Sequence, residues 1–180
     1  EELIFDKFEE SIFNGHTLSY PIIGTEKNIL SYNSNILHQF HNANYRLDNL
    51  LISVSGAIHH EEAVALAEKY FTGKRTTSNQ KRKNFVKQIV NEVNIEKEIQ
   101  QVHSIVGRTT YGFNDPRRHK LKVLSTLLGD GSSSRLFQAV REKLGMTYQI
   151  NTFLNSYLDV SAFGVYYSTN DKQAGKVNEI

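Results

Sequence analysis

Leu127-Leu128-Gly129-Asp130-Gly131-Ser132-Ser133-Ser134-Arg135-Leu136-Phe137, continued by Arg141-Glu142-Lys143-Leu144-Gly145-Met146-Thr147-Tyr148, is the stretch on which the fold turns. It reads as the end of one helix, a turn rich in glycine and serine, and a second helix over 135–143 whose buried face carries Leu136, Phe137 and Val140. Gly145 ends that helix, because glycine accepts the left-handed backbone that a helix terminus needs. A strand is expected from Tyr148 to Leu154. A turn around 155–159 then returns the chain as a second strand over 160–167, where Phe163, Val165 and Tyr167 alternate toward one face.

Upstream, Asn114-Asp115-Pro116 offers a cap and a proline at the first helical position, ahead of Leu121, Val123, Leu124, Leu127 and Leu128, and Gly129 closes that helix. Two extended segments precede it, over 86–94 and 101–111. The second sets β-branched Val102, Ile105 and Val106 beside Thr109 and Thr110. From Gly73 to Lys83 the residues are Gly, Lys, Arg, Thr, Ser, Asn and Gln, with nothing apolar to bury, which marks a linker. Before the linker, residues 1–13 place Leu3, Ile4, Phe8, Ile12 and Phe13 at helical spacing, and Ile29, Ile36, Leu37 and Phe40 suggest short helical turns. Residues 49–55 read as a buried strand stopped by Gly56, and residues 61–71 as a helix with acidic residues in its first turn. The order predicts an α+β fold, an antiparallel sheet with helices packed on one face. Glu1 falls where a helix is already under way and 171–180 reads as a helix just beginning, so the natural protein is expected to extend on both sides.

Composition excludes several classes. With 39% hydrophobic and 22% charged residues over 180 positions, the chain can bury a core. A net charge of +2, with Lys and Arg dispersed among nearly as many carboxylates, names no nucleic-acid or membrane-surface partner. No apolar run approaches the roughly 20 residues of a membrane span. The lack of cysteine excludes disulfides, thiol catalysis and Cys-ligated zinc.

The segment from Leu127 to Tyr148 resembles the signature of the second repeat of insulinase-type (pitrilysin-type) zinc peptidases, a family that includes the mitochondrial processing peptidases. There a glycine-rich turn opens a helix ending in Arg-Glu-Lys, here Arg141-Glu142-Lys143, and a tyrosine follows seven positions after the arginine, here Tyr148. His16-Thr17-Leu18 through Pro21-Ile22-Ile23-Gly24-Thr25 is similar to the loop after the family's zinc-site helices, and 49–71 to the last strand and helix of its first repeat. The resemblance implies parts of two homologous repeats: 1–72 as the end of the first, 73–85 as the linker and 86–180 as the start of the second, substrate-side one. It also implies two halves enclosing an extended peptide, with zinc on the first half as the full-length cofactor and none in this chain. Tyr148 would then donate to the oxyanion at the scissile carbonyl, and Arg141 would bind the substrate backbone. The implied partners are a peptide substrate and the remaining parts of the same peptidase or a paired subunit.

The family's zinc motif, His-x-x-Glu-His, is absent. The nearest string is His59-His60-Glu61-Glu62-Ala63, which puts alanine where the second imidazole must face the ion. A non-catalytic family member that binds peptides or a catalytic partner is therefore the alternative. Plainer readings stand beside each residue: Arg141 as a solvated cation near a helix end, and Tyr148 as an aromatic at a strand start. The turn 129–134 has the look of a phosphate cradle, yet it lacks the Gly-Lys-Ser/Thr ending and reads better as a helix start capped by serine. His38 and His41 share a helix face without an evident third ligand.

Overall fold

The computed structural model describes residues 2–72, 83–87 and 92–180. Most of the expected linker over 73–85, and positions 88–91 of the strand expected over 86–94, lie outside these residues. The described positions on either side, 83–87 and 92–94, join no sheet. The described residues fall into two compact units, one drawn from Glu1–Ile23 and Lys83–Ile180, the other from Gly24–Arg82.

The first unit is built around the expected hairpin. Strand β2, Gln149–Ser156, and strand β3, Val160–Thr169, run antiparallel, and the bond from Tyr157 N–H to the Val160 carbonyl (2.9 Å) closes the turn between them. Strand β1, Val102–Tyr111, pairs antiparallel with the other edge of β3, giving a three-stranded sheet in the order β1-β3-β2. The fold is α+β, as the sequence predicts.

Side chains alternate across the sheet, so each face has its own core. On one face lies α1, Glu2–Ile12, whose Phe5 ring sits 5.2 Å from Phe153 and 5.3 Å from Tyr166. Ile12 and Phe13 join Val160 and Ala162 in the buried cluster there. Gly107 and Gly164 are register partners at the centre of this face. A methyl on the first would meet the Phe8 ring at 2.8 Å, and one on the second the Phe153 ring at 2.7 Å, so the missing side chains are what admit the aromatics. On the opposite face, Val140, Ile150, Tyr167 and Val177 form the second cluster. It is covered by a π-helix, Phe137–Lys143, and by α6, Asp171–Asn178, and α5, Arg118–Gly129, lies on the same face against β2, where Ser125 meets Thr152. The helices read from 114 onward thus share one face, and α1 covers the other.

Helix α5 meets the sheet through small residues. Ser125 and Gly129 are buried, whereas Val123, Leu124 and Leu127 are exposed. The Thr152 hydroxyl of β2 donates to the Ser125 carbonyl (2.8 Å), and a Cβ at Gly129 would stand 2.5 Å from the Thr152 amide nitrogen. The approach is close because no side chain intervenes.

The second unit holds α2, Glu26–Ser31, α3, Ser34–Asn44, and α4, His60–Tyr70. Thr25 caps α2 by accepting from Asn28 N–H (3.3 Å), and Asn33 caps α3 by accepting from Ile36 N–H (3.1 Å). The buried strand expected over 49–55 is corrected here. Leu50 has extended dihedrals (φ −105°, ψ 128°), yet no strand among the described residues pairs with this segment, and Leu50, Leu51, Ile52 and Val54 are exposed. An apolar run carries no record of which neighbour is present to bury it.

Candidate substrate-side site

The helix expected over 135–143 forms with a wider winding than an α-helix, as a π-helix over Phe137–Lys143. Such windings are rare and concentrate at functional sites. Its one fully buried residue is Val140, which anchors it to Ile150 and Tyr167. Arg141, one residue on, is exposed, with its guanidinium 4.8 Å from the centre of the Phe137 ring. That cation–π contact restrains a side chain that would otherwise sample many rotamers.

From Arg141 to Tyr148 the backbone is pinned at successive points. Gly145 takes φ +59° and donates its N–H to the Arg141 carbonyl (3.1 Å); Met146 N–H donates to the Val140 carbonyl (3.0 Å). Tyr148 N–H donates to the Ser168 carbonyl of β3 (2.9 Å), just ahead of the first residue of β2. Tyr148 is 57% exposed. The two candidate residues therefore stand at opposite ends of one clamped return, both presented to solvent. Sequence spacing did not reveal the π winding or the partner at Ser168, since neither leaves a mark in residue type.

The turn 129–134 is not capped as expected. The Ser134 hydroxyl is buried and has no hydrogen-bond partner among the described residues. The Gln138 side-chain amide instead donates to the Ser132 carbonyl (2.7 Å), and the Ser134 carbonyl receives Gln138 N–H (3.0 Å). Thr147, beside Tyr148, likewise buries a hydroxyl without a described partner.

Titratable groups elsewhere in this unit are shifted from their ordinary values. Asp115 is held down to about 2 by hydrogen bonds from the Arg117 side chain and backbone. Tyr157 is pushed up to about 12, first by burial and then by the neighbouring Glu9 carboxylate. Both bind structure together: Asp115 orders the start of α5, and Tyr157 ties the β2–β3 turn to α1. Among the described residues no three His, Cys, Asp or Glu side chains are placed to hold a metal ion. His59 and His60 open α4, and His41 stacks on Tyr45 with centroids 4.9 Å apart. These residues do not fit a zinc site.

The sequence profile of the peptidase M16 inactive domain matches residues 31–180. The chain belongs to this family. Two relatives of this M16 inactive domain carry zinc-protease names. An uncharacterised zinc protease of Rickettsia bellii is 34% identical over 94% of this chain and 41% of its own length. The zinc protease YmxG of Bacillus subtilis is 30% identical over 99% of this chain and 44% of its own. The M16 inactive domain described here thus spans less than half the length of either relative.

Solved structures agree on the fold. A peptidase M16 inactive domain from Pseudomonas fluorescens superposes with a TM-score of 0.89 at 20% identity, over 99% of this chain and 44% of the other. A protease from Helicobacter pylori gives a TM-score of 0.80 at 18% identity, over 98% and 45% of the two chains. No helix of the described residues is long and apolar enough to cross a membrane.

Proposed function

We propose that this M16 inactive domain is the substrate-side, catalytically inactive region of a zinc-dependent endopeptidase that hydrolyses peptides enclosed between two homologous halves. The observation that carries the reading is the placement of Arg141 and Tyr148 at the two ends of one pinned return, both exposed, within the family-matched region. In this reading residues 1–72 close the first repeat and 86–180 open the second, with 73–85 between them.

The zinc named in the relatives, with its ligands, belongs to the part of the protein outside this chain. Tyr148 supplies a phenolic O–H that donates to the oxyanion as negative charge develops on the scissile carbonyl. A preorganised donor of this kind contributes about 3 kcal/mol to transition-state stabilisation. Arg141 supplies a planar fork of N–H donors that fixes a substrate carbonyl nearby, and its contact with Phe137 holds the fork in place. Backbone binding of this sort selects extended peptides more than particular side chains.

The test is cleavage of a quenched fluorogenic peptide by the longest natural form of the protein, with and without a chelator, beside Tyr148→Phe. Chelator-sensitive cleavage that falls about a hundredfold in the variant supports the reading. Peptide binding without cleavage would turn the assignment to a non-catalytic subunit.

A further inference from the structure

We propose that Thr169 is a positioning residue for Tyr148, acting through the carbonyl of Met146; the inference rests on the reading of Tyr148 as an oxyanion donor. Of the backbone groups between Arg141 and Tyr148, the N–H groups of Gly145, Met146 and Tyr148 are bonded to Arg141, Val140 and Ser168 respectively. Those bonds tie the return to the π-helix on one side and to β3 on the other. The carbonyl of Met146, two residues before Tyr148, is held by the Thr169 hydroxyl, which donates to it.

Thr169 is suited to act as a fixed post. It is completely buried at the last position of β3, in register with Val102 of β1. Its Oγ1 lies 3.4 Å from Gln173 Oε1, which in turn receives the Asn170 side-chain amide (2.7 Å), while Asn170 Oδ1 caps α6 through Gln173 N–H (3.1 Å). The hydroxyl has a single proton, and the Met146 carbonyl takes it. Valine has the same shape as threonine without that donor, so Thr169→Val frees the Met146 carbonyl and loosens the segment that ends in Tyr148. A displacement of about an ångström at a group aimed at the reacting carbonyl is enough to slow turnover while substrate still binds.

The experiment measures kcat and KM for the quenched peptide with the longest natural form of the protein, each normalised to the folded fraction. It compares Thr169→Val, Thr169→Ser, Tyr148→Phe and the Tyr148→Phe/Thr169→Val double variant; Thr169→Ala carries the comparison should the valine variant not fold. Expected are a fall of about tenfold in kcat for Thr169→Val with KM changed by less than about twofold, recovery in Thr169→Ser, and almost no further loss when Thr169→Val is added to Tyr148→Phe. An unchanged kcat in Thr169→Val, or the same loss with and without Tyr148, overturns the positioning role while leaving Tyr148 in place. If Tyr148→Phe itself loses nothing, or the unaltered protein cleaves no peptide, the oxyanion reading fails and this inference falls with it.

Discussion

Glu9, on the first helix, accepts hydrogen bonds from the Tyr157 hydroxyl at 3.2 and 3.1 Å, joining residues 148 apart in sequence, and the Asn155 side-chain amide donates to the same carboxylate at 3.0 Å. The phenol that makes this tie is half-buried, and it ionises at about 12 in the folded chain. Unfolded, it ionises near 10. Between those values the unfolded chain has released a proton that the folded chain still holds, so alkali favours unfolding. The tie's contribution is complete below about pH 10 and is lost as pH rises through about 12. Urea midpoints measured across that window should fall more steeply in the unaltered chain than in Tyr157→Phe. Equal slopes would remove Tyr157 as the source.

Gly129→Ala is expected to destabilise the first unit by about 1–3 kcal/mol, the usual cost of forcing a methyl into a packed contact. The methyl would stand 2.5 Å from the Thr152 amide nitrogen and 2.7 Å from the Thr152 side-chain methyl. Only the second can move out of the way. Alanine is otherwise the better helix former, so a stabilised variant would show that α5 does not lie this close to β2. Thermal unfolding of the two proteins decides it.

Much of this architecture is legible in the sequence, and what is not has a common cause. The helix after Asp115, the glycine turn, the helix ending at Gly145 and the hairpin of β2 and β3 are signalled by residues close to one another in the chain. Local signals fail where the partner is distant. Nothing in Glu9 announces Tyr157, and nothing in the leucine row of α5 announces that Ser125 and Gly129 are the buried side. The run 49–55 fails in the opposite sense: its residues suit a buried strand, and no described strand lies beside it. For the candidate site, Arg141 and Tyr148 are recognisable from the spacing of a family signature. Thr169 is not, because its part is set by the pairing of β3 and by where the return after Gly145 passes.

Phe13→Ala should cost about 3–5 kcal/mol, as for other fully buried aromatics. Phe13 has no exposed surface, and its ring meets Phe85 and Tyr157 edge to face, each with centroids 5.5 Å apart. Losing the ring removes the edge-to-face contact that Phe85, from the segment 83–87, makes at the end of α1, and leaves Phe85 N–H bonded to the Asp159 carboxylate of the hairpin turn (3.1 Å). Chemical denaturation of the 180-residue chain measures the loss. A change below about 1 kcal/mol would mean that α1 does not seat on the sheet in solution.

The 180-residue chain studied alone should expose enough apolar surface to self-associate. In the second unit no described residue is buried, and Leu30, Leu37, Phe40, Leu51 and Tyr70 are all more than half exposed. Exposed apolar surface seeks a cover, because each exposed side chain retains its unfavourable hydration. In the first unit the outward row of α5, with Val123 at 69% exposure, adds to it. Sedimentation should therefore show a weight-average mass that rises with concentration. Replacing Leu37, Phe40 and Leu51 together by Gln, Lys and Thr should restore a monomer without lowering the unfolding temperature of the first unit, to whose cores they contribute nothing. A strictly monomeric chain that binds no hydrophobic dye would mean that these side chains find one another in solution, and that the second unit closes on itself more tightly than α3 and α4 do in this structure.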